Sequence, residues 1–228
     1  ETGKHFLRYA ADSNMKKIVL ECGGKNPAVV FDDAENLDHV AEHVVNAAFW
    51  NAGQNCSAAS RLIVHKTIKA PLMERIEVRL RDWKVGDPLD PGIHIGALID
   101  AEHCKKVRKF LKNQDKGNGP FVAPVIYEVS ADDALAKYEI FGPVLSVIEV
   151  ATNDEAVAIA NRTEYGLAAS VFTANTRQAI RAARDIQAGT VTVNCYGEGD
   201  ISTPFGGYKQ SGFGGRDNGL HAHDQFTE

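Results

Sequence analysis

From residue 144 onward the chain runs strand–helix–strand–helix–strand, and that order limits what it can fold into. Residues 144–150 read as a strand. Asn153 caps a helix whose apolar positions are Ala156, Val157, Ile159 and Ala160, and residues 167–173 form the next strand. Thr176 caps a second helix through Ile180, Ala183 and Ile186, and Gly189 leads into a strand over 190–195. Links this short impose parallel pairing and right-handed crossovers. The predicted fold is α/β, a mostly parallel sheet with helices on both faces.

The earlier part of the chain extends the pattern. A helical run carries Phe6, Leu7, Ala10 and Met15. Residues 17–21 read as a strand ending in a glycine pair, and 27–31 as a buried strand. Leu37, Val40, Ala41, Val44, Val45, Ala48 and Phe49 recur at helical steps, with Asn36 as cap, Asp38 in the positive first turn and Gly53 as breaker. A strand over 61–65 precedes a helix marked by Leu72, Met73, Ile76, Leu80 and Trp83, with Pro71 near its start. Asp100 caps a helix carrying Val107, Phe110 and Leu111, and 121–127 read as a strand.

Composition excludes several function classes. With 228 residues, 44% hydrophobic and 24% charged, the chain can bury a core of its own. A net charge of −5 with scattered basic residues argues against a nucleic-acid surface. No apolar run approaches the roughly 20 residues of a membrane helix, and no signal-peptide pattern opens the chain. Cys22, Cys56, Cys104 and Cys195 include no C-x-x-C pair, so free thiols in a reducing compartment, the cytoplasm, are expected.

Two stretches carry candidate chemistry. In Phe49-Trp50-Asn51-Ala52-Gly53-Gln54-Asn55-Cys56-Ser57 a helix delivers one cysteine among small and polar residues; in Leu20-Glu21-Cys22-Gly23-Gly24-Lys25 a carboxylate precedes a glycine pair. A thiol and a glutamate are a candidate nucleophile and base. A buried structural cysteine and a solvated strand-end glutamate are the bland alternatives, and spacing alone does not bring the two together.

These stretches, with Glu139-Ile140-Phe141-Gly142-Pro143-Val144 and Pro204-Phe205-Gly206-Gly207-Tyr208-Lys209-Gln210-Ser211-Gly212, occur in one order. Together they resemble the C-terminal half of an NAD(P)-dependent aldehyde dehydrogenase over nearly the whole chain. The resemblance implies that Cys56 attacks an aldehyde and that Glu21 activates the water that hydrolyses the thioester. Glu139 would bind the nicotinamide-side ribose, with Phe141 packed near that ring. Trp50 and Phe205 match aromatic positions of the substrate tunnel, for which core packing is the alternative. Asp217 stands where the family often has glutamate in a proton path; its shorter side chain and the extra glycine in Phe213-Gly214-Gly215 depart from that pattern.

The same resemblance assigns residues 1–20 to the tail of a nucleotide-binding domain and 21–228 to the catalytic domain. The N-terminal half and a C-terminal oligomerisation strand are expected to be absent, and the link 113–120 is read as shortened by omitted residues. The cofactor is NAD or NADP, and the partners are a small aldehyde and other copies of the chain, as dimer or tetramer. The ending, through Gly199-Asp200, Gly215-Arg216-Asp217 and Leu220-His221-Ala222, resembles the branch acting on γ-glutamyl-γ-aminobutyraldehyde and related aminoaldehydes. Little or no activity is expected of these residues alone.

Other readings carry less. His39-Val40-Ala41-Glu42-His43 matches an inverted zinc-protease motif, but its polar residues fall off the apolar face, and a solvated helix face is expected with no metal. Gly23-Gly24-Lys25-Asn26 lacks the spacing of a phosphate-binding loop, and the glycines after Ser211 make no dinucleotide fingerprint. A non-catalytic interaction domain on the same fold and a cysteine hydrolase, which needs a histidine at Cys56, are the competing functions.

Overall fold

A computed structural model of the chain describes residues 1–111, 119–197 and 199–227. Six strands form one wholly parallel sheet: β2 (Pro27–Val30), β3 (Arg61–His65), β4 (Val125–Glu128), β5 (Val144–Val150), β7 (Ala168–Phe172) and β8 (Thr190–Val193), in the order β4-β5-β3-β2-β7-β8. The short strands β1 (Leu20–Glu21), β6 (Tyr165–Gly166), β9 (Tyr208–Lys209) and β10 (Gly212–Phe213) pair antiparallel outside it, β1 with β10 and β6 with β9.

The central strands are apolar on both faces because both are covered. Ala28, Val30, Leu62, Val64, Leu145 and Val147 join one core with α2 (Leu37–Phe49), α3 (Lys66–Leu80) and α4 (Ala101–Arg108). Val29, Ile63, Ile148, Val150, Ala169 and Val171 join the other with α5 (Ala134–Lys137), α6 (Asn153–Asn161) and α7 (Thr176–Asp185). One-residue alternation along each strand sends neighbours to opposite cores. The N-terminal helix α1 (Thr2–Ala11) buries only Ala10. Among the described residues no helix is long and apolar enough to cross a membrane.

Several elements differ from expectation. Only Leu20–Glu21 of the 17–21 strand is paired, with the glycine-rich segment near the C-terminus rather than with the main sheet. A Cβ on Gly212 would lie 1.9 Å from the Leu20 carbonyl oxygen, and the Gly212 φ is 142°, so that pairing demands glycine. Helix α2 stops at Phe49 instead of at Gly53, because Asn51 and Ala52 turn left-handed within a short 3-10 turn, Trp50–Gly53. Helix α3 starts at Lys66, which places Pro71 in its interior and leaves Trp83 beyond its end. Phe110 and Leu111 follow α4 rather than lie in it.

The caps sit one residue earlier than read, at Thr152 and Asn175, whose side chains accept the N–H groups of Glu155 and Gln178. Ile180 is 66% exposed, and α7 buries Ala179 and Ala182 instead. Strands β4, β7 and β8 are shorter than the spans 121–127, 167–173 and 190–195. Residues 113–118 of the expected short link lie outside the described residues.

Candidate active site

The 3-10 turn Trp50–Gly53 follows α2 and turns left-handed at Asn51 and Ala52. Gly53 packs so closely on the Phe141–Gly142 turn that a Cβ would lie 2.3 Å from the Gly142 carbonyl oxygen. Cys56 follows, half-buried. Its carbonyl accepts a hydrogen bond from Asn26 Nδ2 at 2.7 Å, the same nitrogen donates to the Ala58 carbonyl at 3.0 Å, and Asn26 Oδ1 accepts from the Ala168 N–H at 3.0 Å. One buried amide thus ties the cysteine loop to β2 and β7.

The glycine pair lets two groups approach one backbone. A Cβ on Gly24 would lie 2.8 Å from the Cys56 carbonyl oxygen, and one on Gly23 would lie 2.0 Å from Glu139 Oε2. Glu139 Oε1 accepts the Gly24 N–H at 2.8 Å. Burial raises the Glu139 pKa, while the Gly24 N–H and the Lys25 charge oppose that rise. Cys22, Gly23, Glu139, Tyr165, Lys209 and Gln210 line a cleft of about 600 Å³.

Glu21 ends β1 two residues before Gly23. The residue is exposed, yet its carboxyl presses against Gly206, where a Cβ would lie 2.9 Å from Oε1. Lost hydration raises its pKa to about 7, helped by repulsion from Asp217 and opposed by Arg216. That value suits a general base near neutral pH.

The other expected site residues divide between these two centres. Trp50 opens the turn leading to Cys56 and is 59% exposed, so core packing does not explain it. Phe141 has a φ of 56°; its carbonyl accepts from His103 Nε2 at 2.7 Å. Phe205 is buried beside Gly206, and its backbone exchanges hydrogen bonds with Asp217 at 2.6 and 2.7 Å. Asp217 is exposed and takes a hydrogen bond from Gln225 Nε2 at 3.2 Å.

His39 and His43 are fastened to the loop after β8. His39 Nε2 lies 2.9 Å from the Asn194 carbonyl oxygen, and His43 Nδ1 accepts the Tyr196 N–H at 3.1 Å. His43 is therefore half-buried, not on a solvated face. Among the described residues no group of His, Cys, Asp and Glu could hold a metal ion. All four cysteines are free.

Sequence reading passed over Asn26, Arg216 and Lys25 as site residues. Lys25 is 1% exposed, and its Nζ has no hydrogen-bond partner among the described residues. Burial and then the Arg61 charge lower its pKa to about 7. The available signal was a polar pair, Lys25-Asn26, wedged between two glycines and a fully apolar strand.

The chain matches the family model described as "Aldehyde dehydrogenase family" over residues 1–228. It is 56% identical to an aminoacetaldehyde dehydrogenase of Pseudomonas aeruginosa and 39% identical to the NADP/NAD-dependent aldehyde dehydrogenase PuuC of Escherichia coli; each comparison covers 100% of this chain and 48% of the relative. The crystal structure of γ-glutamyl-γ-aminobutyraldehyde dehydrogenase from Burkholderia cenocepacia superposes with a TM-score of 0.94 at 45% identity, over 100% of this chain and 49% of that one. The chain spans about half the length of the curated relatives it matches. On the family match, the fold and this degree of identity, the chain belongs to the aldehyde dehydrogenase family.

Proposed function

We propose that this chain carries the nucleophile and the base of an enzyme that oxidises an aminoaldehyde to a carboxylic acid with NAD or NADP. The observation that carries the reading is the junction at Gly23-Gly24, where the Cys56 loop, the Glu139 carboxylate and the strand bearing Glu21 meet within hydrogen-bond and contact distance. The names of the aminoacetaldehyde and γ-glutamyl-γ-aminobutyraldehyde dehydrogenases support the substrate class, and that of PuuC supports either nicotinamide cofactor.

The residues present fit such a cofactor. Glu139 spends one hydrogen bond on Gly24 and faces a cleft of about 600 Å³, so its remaining lone pairs can accept from ribose hydroxyls, with Phe141 beside it. When bound, the nicotinamide supplies a hydride acceptor. The Cys56 thiol loses its proton to solvent, Sγ adds to the aldehyde carbon, and loss of hydride leaves a thioester on Cys56. Glu21 takes a proton from water, the water oxygen attacks the thioester carbonyl, and the acid leaves as the thiol is restored. Lost hydration raises the pKa of Glu21, Asp217 adds to that rise and Arg216 opposes it; Asp217 is assigned to the path by which the Glu21 proton reaches solvent. Trp50 and Phe205 border the aldehyde's route.

Residues 1–20 are the tail of a nucleotide-binding domain, and 21–228 the catalytic domain. The apolar residues that α1 leaves exposed, Phe6 and Tyr9 among them, support that division. The whole protein is a cytoplasmic homo-oligomer, a dimer or tetramer.

The test follows NADH or NADPH absorbance with an aminoaldehyde. It uses the chain alone and the chain joined to the N-terminal half of the P. aeruginosa relative. The chain alone is expected to show little or no turnover. The joined chain is expected to turn over, to fall to background with Cys56→Ala, and to lose about 10²–10⁴-fold with Glu21→Gln. A folded joined chain whose turnover is absent, or survives Cys56→Ala, overturns the proposal.

A further inference from the structure

Cys56 is not held by its own strand or helix. It sits between Asn55 and Ser57, and the orientation of Asn55 decides which atom faces the thiol. The Ser57 N–H, a donor only, lies 3.3 Å from Asn55 Oδ1, so that atom must be the amide's oxygen. The same Oδ1 lies 3.7 Å from Cys56 Sγ. Its nitrogen, Nδ2, therefore points the other way, to the Tyr196 hydroxyl at 3.1 Å. That hydroxyl also lies 3.5 Å from Ser57 Oγ, so it touches residues on both sides of the cysteine.

Tyr196 is itself seated from behind. Its backbone N–H donates to His43 Nδ1 on α2 at 3.1 Å, and its ring packs against the core beneath. His43 is steadied by the Phe172 ring, 6.2 Å away centroid to centroid. Tyr196 lies about 140 residues from Cys56 in sequence, and its contacts play no part in the chemistry assigned above.

An amide oxygen beside sulfur accepts from S–H but repels S⁻, so this orientation favours the thiol over the thiolate. We propose that Tyr196 is a positioning residue for Cys56: by holding the Asn55 amide nitrogen, it keeps Asn55 Oδ1 on the sulfur and restrains Cys56 in its less reactive thiol form. Rotation of Asn55 away from Tyr196 would present Nδ2 to the sulfur instead and release the thiolate. The proposal gains its functional meaning from Cys56 as nucleophile. The test therefore reads thiol reactivity rather than turnover, so that the two readings can fail separately.

The test is the pH profile of iodoacetamide alkylation at Cys56 in this chain. Mass spectrometry of the Cys56 peptide separates it from Cys22, Cys104 and Cys195. Tyr196→Phe removes the hydroxyl and keeps the backbone N–H for His43. The profile is expected to move about half a pH unit lower, which is about three-fold faster alkylation at pH 7. Asn55→Ala is expected to move it the same way, and Tyr196→Phe in the Asn55→Ala background to add nothing, because the two act through one atom. A merely structural role would raise the rate at every pH without moving the midpoint. An unmoved midpoint in Tyr196→Phe, or shifts that add in the double variant, overturns the proposal. If Tyr196→Phe does not fold, His43→Phe loosens the seat while leaving the hydroxyl; a shift in the same direction supports the proposal, and an unmoved midpoint overturns it.

Discussion

Glu21 shows how a single carboxyl is tuned by what lies beside it. Its pKa of about 7 comes from lost hydration against Gly206, then from Asp217, with Arg216 pulling the other way. The two neighbours can be removed one at a time. In a ¹³C NMR titration of the Glu21 carboxyl, Asp217→Asn is expected to lower the midpoint and Arg216→Gln to raise it. Equal midpoints in both variants would discard this account. The raised pKa also has a stability sign. The fold holds the Glu21 proton more tightly than the unfolded chain, so its contribution is full below about pH 4.5 and is lost as pH rises through about 7. Glu21 was visible in the sequence because a charge at the end of an apolar run is unusual. Its partners were not, since Gly206, Arg216 and Asp217 come from nearly two hundred residues downstream.

At the scale of elements, periodicity and the caps Asn36 and Asp100 were read well, while element ends and the caps at Thr152 and Asn175 were not. Strands β3 and β5 and the start of α2 stand where their patterns placed them. Asn36 caps α2 by accepting the His39 N–H at 3.2 Å, and does so from a left-handed backbone with a φ of 48°. Asparagine adopts that conformation at lower cost than alanine. Asn36→Ala is therefore expected to cost about 1–2 kcal/mol by chemical denaturation, the upper part of the range for a lost cap. A change within error would mean that His39 and its neighbours hold the helix start unaided. The misplaced end of α2 has a tertiary cause. The end of α2 was set by left-handed Asn51 and Ala52, which let Gly53 press on Gly142, a contact with a distant loop.

Across the whole molecule, buried charge joins the pieces. Arg61, 1% exposed at the start of β3, donates to the carbonyls of Lys25, Ile159 and Ala160 at 2.8, 3.1 and 2.9 Å, and so binds β2, β3 and the end of α6 together. Lys25, equally buried beside it, has no such bonds among the described residues. Its pKa of about 7, far below 10.5, makes it a net penalty on stability: full below pH 7 and fading as pH rises toward 10.5. Lys25→Met is expected to stabilise the chain by about 1–3 kcal/mol at pH 6 and by less at pH 10, measured by denaturant unfolding. It should also raise the Glu139 pKa, which the Lys25 charge now holds down. Lower stability at pH 6 would show instead that the ammonium is well solvated.

The order of elements, the parallel α/β architecture and the family all follow from local pattern and motif, because hydrophobic period, short links and turn residues act within a few positions of each other. The candidate nucleophile and base could be named for the same reason. Other features required the folded chain: β1 pairing with a C-terminal glycine segment, Asn26 gripping the Cys56 loop, Tyr196 reaching Asn55, and the Glu21 proton held to neutral pH. Each depends on two groups far apart in sequence meeting at a distance of a few ångströms. Hydration, hydrogen bonding and charge change steeply over such distances, and only the packed sheet sets them.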